Sequence, residues 1–209
     1  MSEKEINAIS RRVFAFGCGA LAVMGALTGC TDNPGKRAGH LPSESQYGFW
    51  FESSRCIGCV FCEEACRKAS ATPEGAPSRR HIVLYRFADG RERFISYSCM
   101  HCAEPACVRV CPAGAISKGG GGAVLVDKER CIGCRYCHQA CPYHVPGYLP
   151  SGMDKCDLCL GSGVALGDTP PCAAACPTSA LHYGLLANLT TQARSASIAS
   201  PGNPSFVIT

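Results

Sequence analysis

Aromatic side chains are scarce in this sequence. They make up 8% of its 209 residues, with a single tryptophan, so large aromatic rings cannot supply much of a core. The sequence also lacks a large excess of charge of one sign, because the formal net charge is +4 and the basic residues form no run. A nucleic-acid-binding surface is therefore not indicated, and no nucleic-acid partner is expected.

Long apolar stretches are also missing. The longest, residues 13–27, has fifteen residues, whereas a membrane-spanning helix needs about twenty. Its many Gly and Ala residues suit the apolar segment of an export signal. The preceding "SRRVF", residues 10–14, resembles the twin-arginine export motif, although Ala15 and Phe16 replace the Leu-Lys that often follows. The segment ends in "LTGC", which resembles a bacterial lipobox and makes Cys30 a lipidation candidate; an uncleaved anchor is the alternative.

The N-terminal segment predicts the cellular location of the protein. Residues 1–30 are predicted to be a twin-arginine-like signal with a lipobox, or an anchor, and residues 31–46 a linker. The twin-arginine route suits a protein that folds around a cofactor before export, which predicts the outer, periplasmic or extracellular face of the cytoplasmic membrane; the cytoplasmic face is the alternative. A single lipid anchor attaches to a membrane reversibly, so a partner protein is expected to help hold the protein there.

Cysteine is abundant, with 18 residues, or about 9% of the sequence. Cys18 lies within the apolar segment and is predicted to be a small hydrophobic residue. Without Cys18 and Cys30, sixteen cysteines remain, and they form four groups of four. The groups are Cys56, Cys59, Cys62 and Cys66; Cys99, Cys102, Cys107 and Cys111; Cys131, Cys134, Cys137 and Cys141; and Cys156, Cys159, Cys172 and Cys176.

The cysteine groups contain an internal repeat. "CIGCVFCEEAC", residues 56–66, and "CIGCRYCHQAC", residues 131–141, agree at seven of eleven positions. "CPAGAI", residues 111–116, likewise resembles "CPTSAL", residues 176–181. Duplication of a two-group unit is the simplest explanation.

The spacing within a group predicts what the thiols bind. In C-x2-C-x2-C a tight loop presents three thiolates to three corners of one cubic cluster, and Gly58 and Gly133 allow the backbone to curl there. The fourth cysteine follows about one helical turn later and is expected to bind a neighbouring cluster, as in the bacterial run C-x2-C-x2-C-x3-C-P. The proline follows the second, third and fourth groups, at Pro112, Pro142 and Pro177.

Three kinds of site compete for these cysteines. Zinc sites usually take two C-x2-C pairs per ion and do not need four cysteines at this pitch. Disulfides would explain the even count, but repeated C-x2-C pairs are strained as cross-links. Iron–sulfur clusters explain the groups, the glycines and the prolines together, so the four groups predict four [4Fe-4S] clusters.

Other polar residues near the cysteines are expected to play lesser roles. His101 and His138 lie inside groups that already have four thiolates, so both are expected to pack beside the ligands. Five cations also stand beside predicted ligands. They are expected to be ordinary solvated charges, with an influence on cluster potential as the alternative, and they are Arg55, Arg67, Arg130, Arg135 and Lys155.

From Gln46 to Gly184 the sequence resembles the iron–sulfur subunit of dimethyl sulfoxide reductase-type molybdoenzymes. The closest stretches are "SCMHCAEPACVRVCP", "CIGCRYCHQACPY" and "DKCDLC". The resemblance implies a molybdopterin catalytic subunit and a polytopic membrane anchor subunit as partners. In some relatives one ligand of the second group is replaced and that cluster lacks an iron, but Cys102 is present here, which implies four complete clusters.

The resemblance also implies how the cysteines share the clusters. Three cysteines of one group combine with a single cysteine of another. The implied ligand sets are Cys56, Cys59 and Cys62 with Cys176; Cys66 with Cys156, Cys159 and Cys172; Cys99, Cys102 and Cys107 with Cys141; and Cys111 with Cys131, Cys134 and Cys137.

The expected fold is a loop-rich α+β fold of tandem bacterial dicluster ferredoxin-like units, two of them nested with pseudo-two-fold symmetry, over residues 47–189. Strands are predicted at residues 47–52 and 123–127, with a hairpin turn at Asp89-Gly90 and short helices after the third cysteine of each group. Trp50 is expected in the core. Residues 190–209 are predicted to be a tail, interpreted as an extended arm over a partner, with a disordered segment as the alternative.

The predicted function is electron transfer in anaerobic respiration. Four clusters would relay electrons between a quinol-oxidising membrane subunit and a molybdopterin catalytic subunit. No nucleophile–base pair, paired carboxylates or phosphate loop is found, so the protein is expected to have no catalytic site of its own. A free-standing polyferredoxin carrier is the alternative.

Overall fold

Strands and helices of three to nine residues alternate with cysteine-bearing loops in the computed structural model. The structure describes residues 46–193 and 202–209, all within one unit of the protein, residues 38–209. In sequence order the elements are β1 (Tyr47–Phe51), α1 (Phe61–Ala69), β2 (Arg80–Arg86), β3 (Glu92–Ser98), α2 (Ala106–Arg109), β4 (Ile116–Lys118), β5 (Val124–Val126), α3 (Tyr136–Ala140), β6 (Gly147–Leu149), β7 (Gly152–Asp154), α4 (Pro171–Ala174), β8 (Leu181–Leu185), α5 (Leu186–Gln192) and β9 (Phe206–Ile208).

The export signal, the linker up to residue 45 and the lipidation candidate Cys30 lie outside the described residues. Within residues 46–193 and 202–209, no helix is both long and apolar enough to cross a membrane.

A three-stranded sheet, in the order β8-β1-β9, forms the centre of the core. β1 alternates in sequence, so Phe49 and Phe51 face the interior and are 1% exposed. This confirms the predicted strand. Trp50 faces the other side of the sheet, where its ring stacks on His182 at 4.3 Å and its indole N–H donates to Thr209 Oγ1 at 3.0 Å. The expectation that Trp50 lies in the core was therefore wrong.

The C-terminal residues differ from the predicted tail. α5 continues past residue 189 to Gln192, and β9 pairs in parallel with β1. Phe206 is buried against Phe49, with ring centroids 5.9 Å apart. Gly48 permits this pairing, because a Cβ there would lie 2.1 Å from the Ser205 carbonyl oxygen. The three consecutive apolar residues of β9 thus complete the domain's own sheet.

The other sheets are two-stranded ribbons. β2 and β3 pair antiparallel over seven residues, from Arg80 opposite Ser98 to Arg86 opposite Glu92. At their turn Gly90 has φ +83°, and Asp89 Oδ1 accepts the Arg91 amide at 3.0 Å. The predicted hairpin is confirmed. The predicted strand at residues 123–127 is confirmed as β5, which pairs with β4.

Four short helices, α1 to α4, each carry the third cysteine of one group, as the sequence predicted. α1 and α3 begin in the same way: Gly58 and Gly133 have φ +70° and +67°, and the residues before the helices, Val60 and Arg135, have φ 59° and 66°. The sequence repeat is therefore also a repeat of backbone conformation. These left-handed residues curl each loop around its cysteines.

Candidate metal centres

The sixteen predicted ligands all lie within the described residues, and we group them into four candidate sites by the ligand sets that the family resemblance implies. We name them site A (Cys56, Cys59, Cys62, Cys176), site B (Cys66, Cys156, Cys159, Cys172), site C (Cys99, Cys102, Cys107, Cys141) and site D (Cys111, Cys131, Cys134, Cys137). All sixteen are free thiols, and several form part of the apolar core. Cys176 and Cys59 add to the raised pKa of Cys56, site B thiols add to that of Cys66, and site C thiols add to that of Cys102, while the four thiols of site D line one cavity.

Site A joins the first cysteine group to the last cysteine of the fourth. Burial raises the pKa of the Cys56 thiol, and the adjacent Cys176 and Cys59 thiols raise it further. Cys62, whose pKa is also raised by burial, lies next to Cys176 as well. The pKa of Cys176 is lowered: burial opposes ionisation, but side-chain and backbone donors outweigh it, including the Ala180 amide at 3.2 Å.

Site B consists of buried thiols only. Burial raises the pKa of Cys66 far above its usual range, and the nearby Cys156, Cys172 and Cys159 thiols add to the shift. Burial, with Cys156 and Cys172, raises the pKa of Cys159 to about 12. The thiols of Cys66 and Cys159 therefore favour the protonated form unless a strong positive charge, such as that of metal ions, displaces the protons.

Site C lies between the second and third groups. Burial raises the pKa of Cys102 to about 12, with contributions from Cys99, Cys107 and Cys141. Burial also raises the pKa of Cys107 to about 11, again with Cys99 and Cys141 adding to it. The C-terminal segment covers this loop, since the Gly202 carbonyl oxygen accepts the Glu104 amide at 3.0 Å.

Site D is the most accessible of the four sites, because Cys134 is exposed. Cys111, Cys131, Cys134 and Cys137 line one cavity, together with apolar side chains. Burial raises the pKa of Cys137, whose Sγ is hydrogen-bonded to the Tyr148 hydroxyl at 3.1 Å.

A thiol of one site acts on a thiol of the next at each step from A to D: Cys172 raises the pKa of Cys62, Cys99 raises that of Cys156, and Cys137 raises that of Cys107.

Backbone amides donate to several of the sulfurs. Ala115 N–H donates to Cys111 Sγ at 3.3 Å, and Ala180 N–H donates to Cys176 Sγ at 3.2 Å. The two bonds fall at the same position of the C-P-x-x-A repeat, so duplicated sequence gives duplicated hydrogen bonding. Donors of this kind stabilise charge on sulfur, which is the state a metal ligand needs.

The donor sets fit iron–sulfur clusters. Each site offers four thiols, and a buried side chain indicates negative charge nearby: Arg80 is 0% exposed and its Nε has no hydrogen-bond partner. Within the described residues, no group of three or more His, Cys, Asp or Glu side chains could hold a single metal ion as the side chains stand. Four cysteine thiolates are the ligand set of a [4Fe-4S] cluster.

Most of the cations predicted beside ligands are ordinary surface groups. The Arg55 side chain is 48% exposed and pairs with Glu52 at 3.3 Å, and Arg130 donates to the Ala113 carbonyl at 2.9 Å. Lys155 is the exception, since it is 4% exposed and donates to the carbonyl oxygens of Val124 and Cys156.

The two histidines within the cysteine groups pack beside them, as expected. His101 is 1% exposed, and its Nδ1 accepts the Val124 amide at 3.0 Å. His138 Nδ1 is hydrogen-bonded to the Pro146 carbonyl oxygen at 3.1 Å.

Three polar residues of the site were missed from the sequence. Ser96 Oγ lies 3.4 Å from Cys62 Sγ, and Ser96 and Ser98 both accept hydrogen bonds from Arg80 at 3.1 Å. A signal was present: "FISYS" places two serines at alternate positions of a strand, on the face where apolar residues would be expected.

Comparison with known proteins agrees with this architecture. Two family models, each described as a 4Fe-4S dicluster domain, match residues 55–115 and 91–186. The fold and its sites thus define tandem 4Fe-4S dicluster, ferredoxin-like domains built of small helices and strands.

Relatives extend the match to most of the protein. The B subunit of anaerobic dimethyl sulfoxide reductase from Escherichia coli (strain K12) is 46% identical over 154 residues, covering 67% of this protein and 74% of the relative. Thiosulfate reductase electron transfer subunit PhsB of Salmonella typhi is 41% identical over 153 residues, covering 68% and 77%. Protein NrfC of Escherichia coli (strain K12) is 39% identical over 184 residues, covering 85% and 80%.

The protein belongs to the family of iron–sulfur electron-transfer subunits of dimethyl sulfoxide reductase-type oxidoreductases. Like these relatives, it is an electron-transfer subunit and not the catalytic one.

Proposed function

We propose that sites A to D each hold one [4Fe-4S] cluster, ligated by the four cysteines that define the site. The protein then relays electrons between a quinol-oxidising membrane anchor subunit and a molybdopterin catalytic subunit. Each cluster, when bound, accepts and gives up one electron at a time. The protein's own residues position the thiolates, donate hydrogen bonds to sulfur and exclude water.

The uninterrupted order of the sites is the observation that carries this proposal. At each step from A to D, a thiol of one site raises the pKa of a thiol in the neighbouring site, which supports a continuous series. A structural zinc module has no need for such continuity, whereas an electron relay requires it.

The exposure of the two ends supports entry and exit of electrons there. Ile57 at site A and Ile132 at site D occupy the same position of the repeat and are 62% and 69% exposed. Phe61 and Tyr136, also equivalent, are 50% and 56% exposed. Apolar side chains around otherwise accessible redox sites are typical of surfaces that dock partners.

A nested arrangement of two ferredoxin-like units is part of the proposal. The first and fourth cysteine groups supply sites A and B, and the second and third groups supply sites C and D. The repeated loop conformation at Gly58 and Gly133 and the repeated amide-to-sulfur bonds at Cys111 and Cys176 support a pseudo-two-fold relation between the units.

The partners are proposed from the relatives, whose names describe subunits of anaerobic dimethyl sulfoxide and thiosulfate reductases. The β2–β3 hairpin supports partner binding, since Leu84 and Tyr85 are 53% and 54% exposed. Large apolar side chains that face solvent on a subunit of a complex commonly become buried on assembly.

The location is proposed from the sequence alone. The twin-arginine-like start and the lipobox-like Cys30 predict the outer face of the cytoplasmic membrane, with the cytoplasmic face as the alternative. Replacing Arg11 and Arg12 by lysine is expected to retain the protein in the cytoplasm. Unchanged export of this variant would remove the twin-arginine part of the proposal.

Metal analysis of anaerobically purified protein tests the central claim. We expect about sixteen iron and sixteen sulfide per protein molecule, and paramagnetic signals after reduction with dithionite. Zinc in place of iron, or iron without a signal on reduction, would contradict the relay.

Purification in mild detergent tests the partners. The relay predicts that the protein co-purifies with a molybdopterin-containing large subunit and a polytopic membrane subunit. A monomer that carries its full iron content would instead identify a free polyferredoxin carrier.

A further inference from the structure

Arg80 is a buried cation at the base of the β2–β3 hairpin. It is 0% exposed, and its guanidinium donates to Ser96 Oγ and Ser98 Oγ at 3.1 Å each. The guanidinium carbon lies 4.7 Å from the centre of the Phe49 ring. These contacts fix the side chain in one position between β1, β2 and β3.

No carboxylate balances this charge. Among the described residues, every ion pair with Asp or Glu involves a cation other than Arg80. The groups that would favour its charge once ionised are cysteine thiols: Cys172, Cys156 and Cys66 of site B, and Cys62 of site A. A buried charge without a partner is strongly unfavourable, so the compensating negative charge has to come from the contents of these two sites.

We propose that Arg80 raises the reduction potential of the clusters in sites A and B. The inference rests on the proposed function, because it requires clusters at these sites. Reduction adds one electron to a cluster and increases its negative charge. A fixed cation in a water-free interior stabilises that added charge more than a solvated cation does.

Ser96 carries part of the effect to site A. Its oxygen accepts a hydrogen bond from Arg80, which leaves the hydroxyl proton free to point at Cys62 Sγ, 3.4 Å away. A serine oriented in this way donates to the sulfur, and such hydrogen bonds raise cluster potentials.

A purely structural role for Arg80 predicts a different result. In that case its replacement would weaken packing between β1 and the hairpin, and it would lower thermal stability without changing the potential of clusters that remain bound. Measured potentials therefore separate the two roles.

The test is a redox titration of the complex, followed by electron paramagnetic resonance, for the natural protein and for R80M, R80K and R55M. In R80M we expect the electron affinity of one or two clusters to fall at least tenfold, which is 59 mV for one electron. R80K, which keeps the charge, should recover more than half of the shift. R55M removes an exposed cation beside Cys56 and should change affinity less than threefold, because water screens it.

The iron content of each variant distinguishes a failure of the proposed function from a failure of the proposed role of Arg80. A natural protein without clusters contradicts the proposed function itself. Clusters present in R80M with all potentials unchanged overturn the role of Arg80 while leaving the relay intact. If R80M does not retain its iron, Ser96→Ala decides: a lower potential at one cluster supports the inference, and unchanged potentials overturn it.

Discussion

Glycine serves the two copies of the cysteine repeat in different ways. Gly58 and Gly133 both have a left-handed backbone, which costs an L-residue about 1 to 2 kcal/mol. At Gly58 a Cβ would also lie 2.6 Å from the Phe94 ring, whereas at Gly133 nothing lies within 4 Å. The two equivalent glycines therefore have different surroundings in the two copies of the repeat.

Gly58→Ala is accordingly expected to destabilise the loaded protein more than Gly133→Ala. Strain alone predicts a loss of about 1 to 2 kcal/mol at residue 133, and displacement of the Phe94 ring adds about 1 to 3 kcal/mol at residue 58. Guanidinium unfolding without oxygen, followed by the visible absorption of the clusters, measures both.

The double variant of Gly58→Ala with Phe94→Ala is the control. If the ring causes the difference, the cost of Gly58→Ala in this background falls to that of Gly133→Ala. An equal cost of the two glycine substitutions in the natural background would contradict the steric explanation.

The four cysteine groups and their loops could be predicted from sequence because spacing along the backbone determines which thiols one loop can present. Arg80 could not be predicted in the same way. It is fourteen residues beyond Cys66 and reaches the cysteines only because β2 pairs with β3 and packs against Phe49. The five cations that neighbour ligands in sequence include only one, Lys155, that is buried. Adjacency in sequence is a poor guide to electrostatic influence when side chains can turn to solvent.

A pair of salt bridges joins β7 to the loop before β2 and to the loop before α3. Asp154 Oδ2 accepts Arg79 Nε at 2.8 Å, and Asp154 Oδ1 accepts Lys128 Nζ at 2.9 Å. Burial opposes ionisation of Asp154, but these hydrogen bonds and charges outweigh it and lower its pKa. The carboxylate is 6% exposed, so it holds the two cations in a position that water screens only in part.

Asp154→Asn is expected to reduce the free energy of unfolding by about 1 to 3 kcal/mol, because Lys128 loses its carboxylate partner and Arg79 keeps only its ion pair with Asp157, at 3.2 Å. Glu92→Gln removes one member of an ion pair on the hairpin whose side chains are 76% and 40% exposed. That control should cost less than about 1 kcal/mol. Denaturant unfolding of both variants at matched iron content provides the comparison, and equal losses would show that burial does not strengthen the Asp154 connection.

Elements were predictable where their determinants are local. The hairpin turn depends on Asp89 and Gly90, and each short helix depends on the cysteine spacing, so both were found from the sequence. β9 was not predicted, because its position depends on contact with Gly48, which lies more than 150 residues earlier in the sequence. The Ser, Ala and Gly-rich composition before it resembles a tail, and only pairing with β1 reveals a strand.

The C-terminal segment, residues 202–209, connects the two halves of the molecule. At one end the Asn203 carbonyl accepts the Ala103 amide at 2.8 Å, and Ser205 N–H donates to the Met100 carbonyl at 2.8 Å, which covers the loop of site C. At the other end Phe206 is buried beside β1, the strand that leads into site A. The sheet therefore supports both ferredoxin-like units.

Phe206→Ala is expected to lower the free energy of unfolding by about 3 kcal/mol, whereas Ile208→Ala on the same strand, 46% exposed, should cost less than about 1 kcal/mol. Because loss of the Phe206 anchor releases the segment over site C, the same variant should lose iron to a ferrous chelator several times faster. Electron paramagnetic resonance identifies which cluster is lost first. Only Phe206→Ala is expected to free the backbone that covers Cys102. Equal rates of iron loss in the two variants would therefore show that the segment stabilises the sheet without protecting site C.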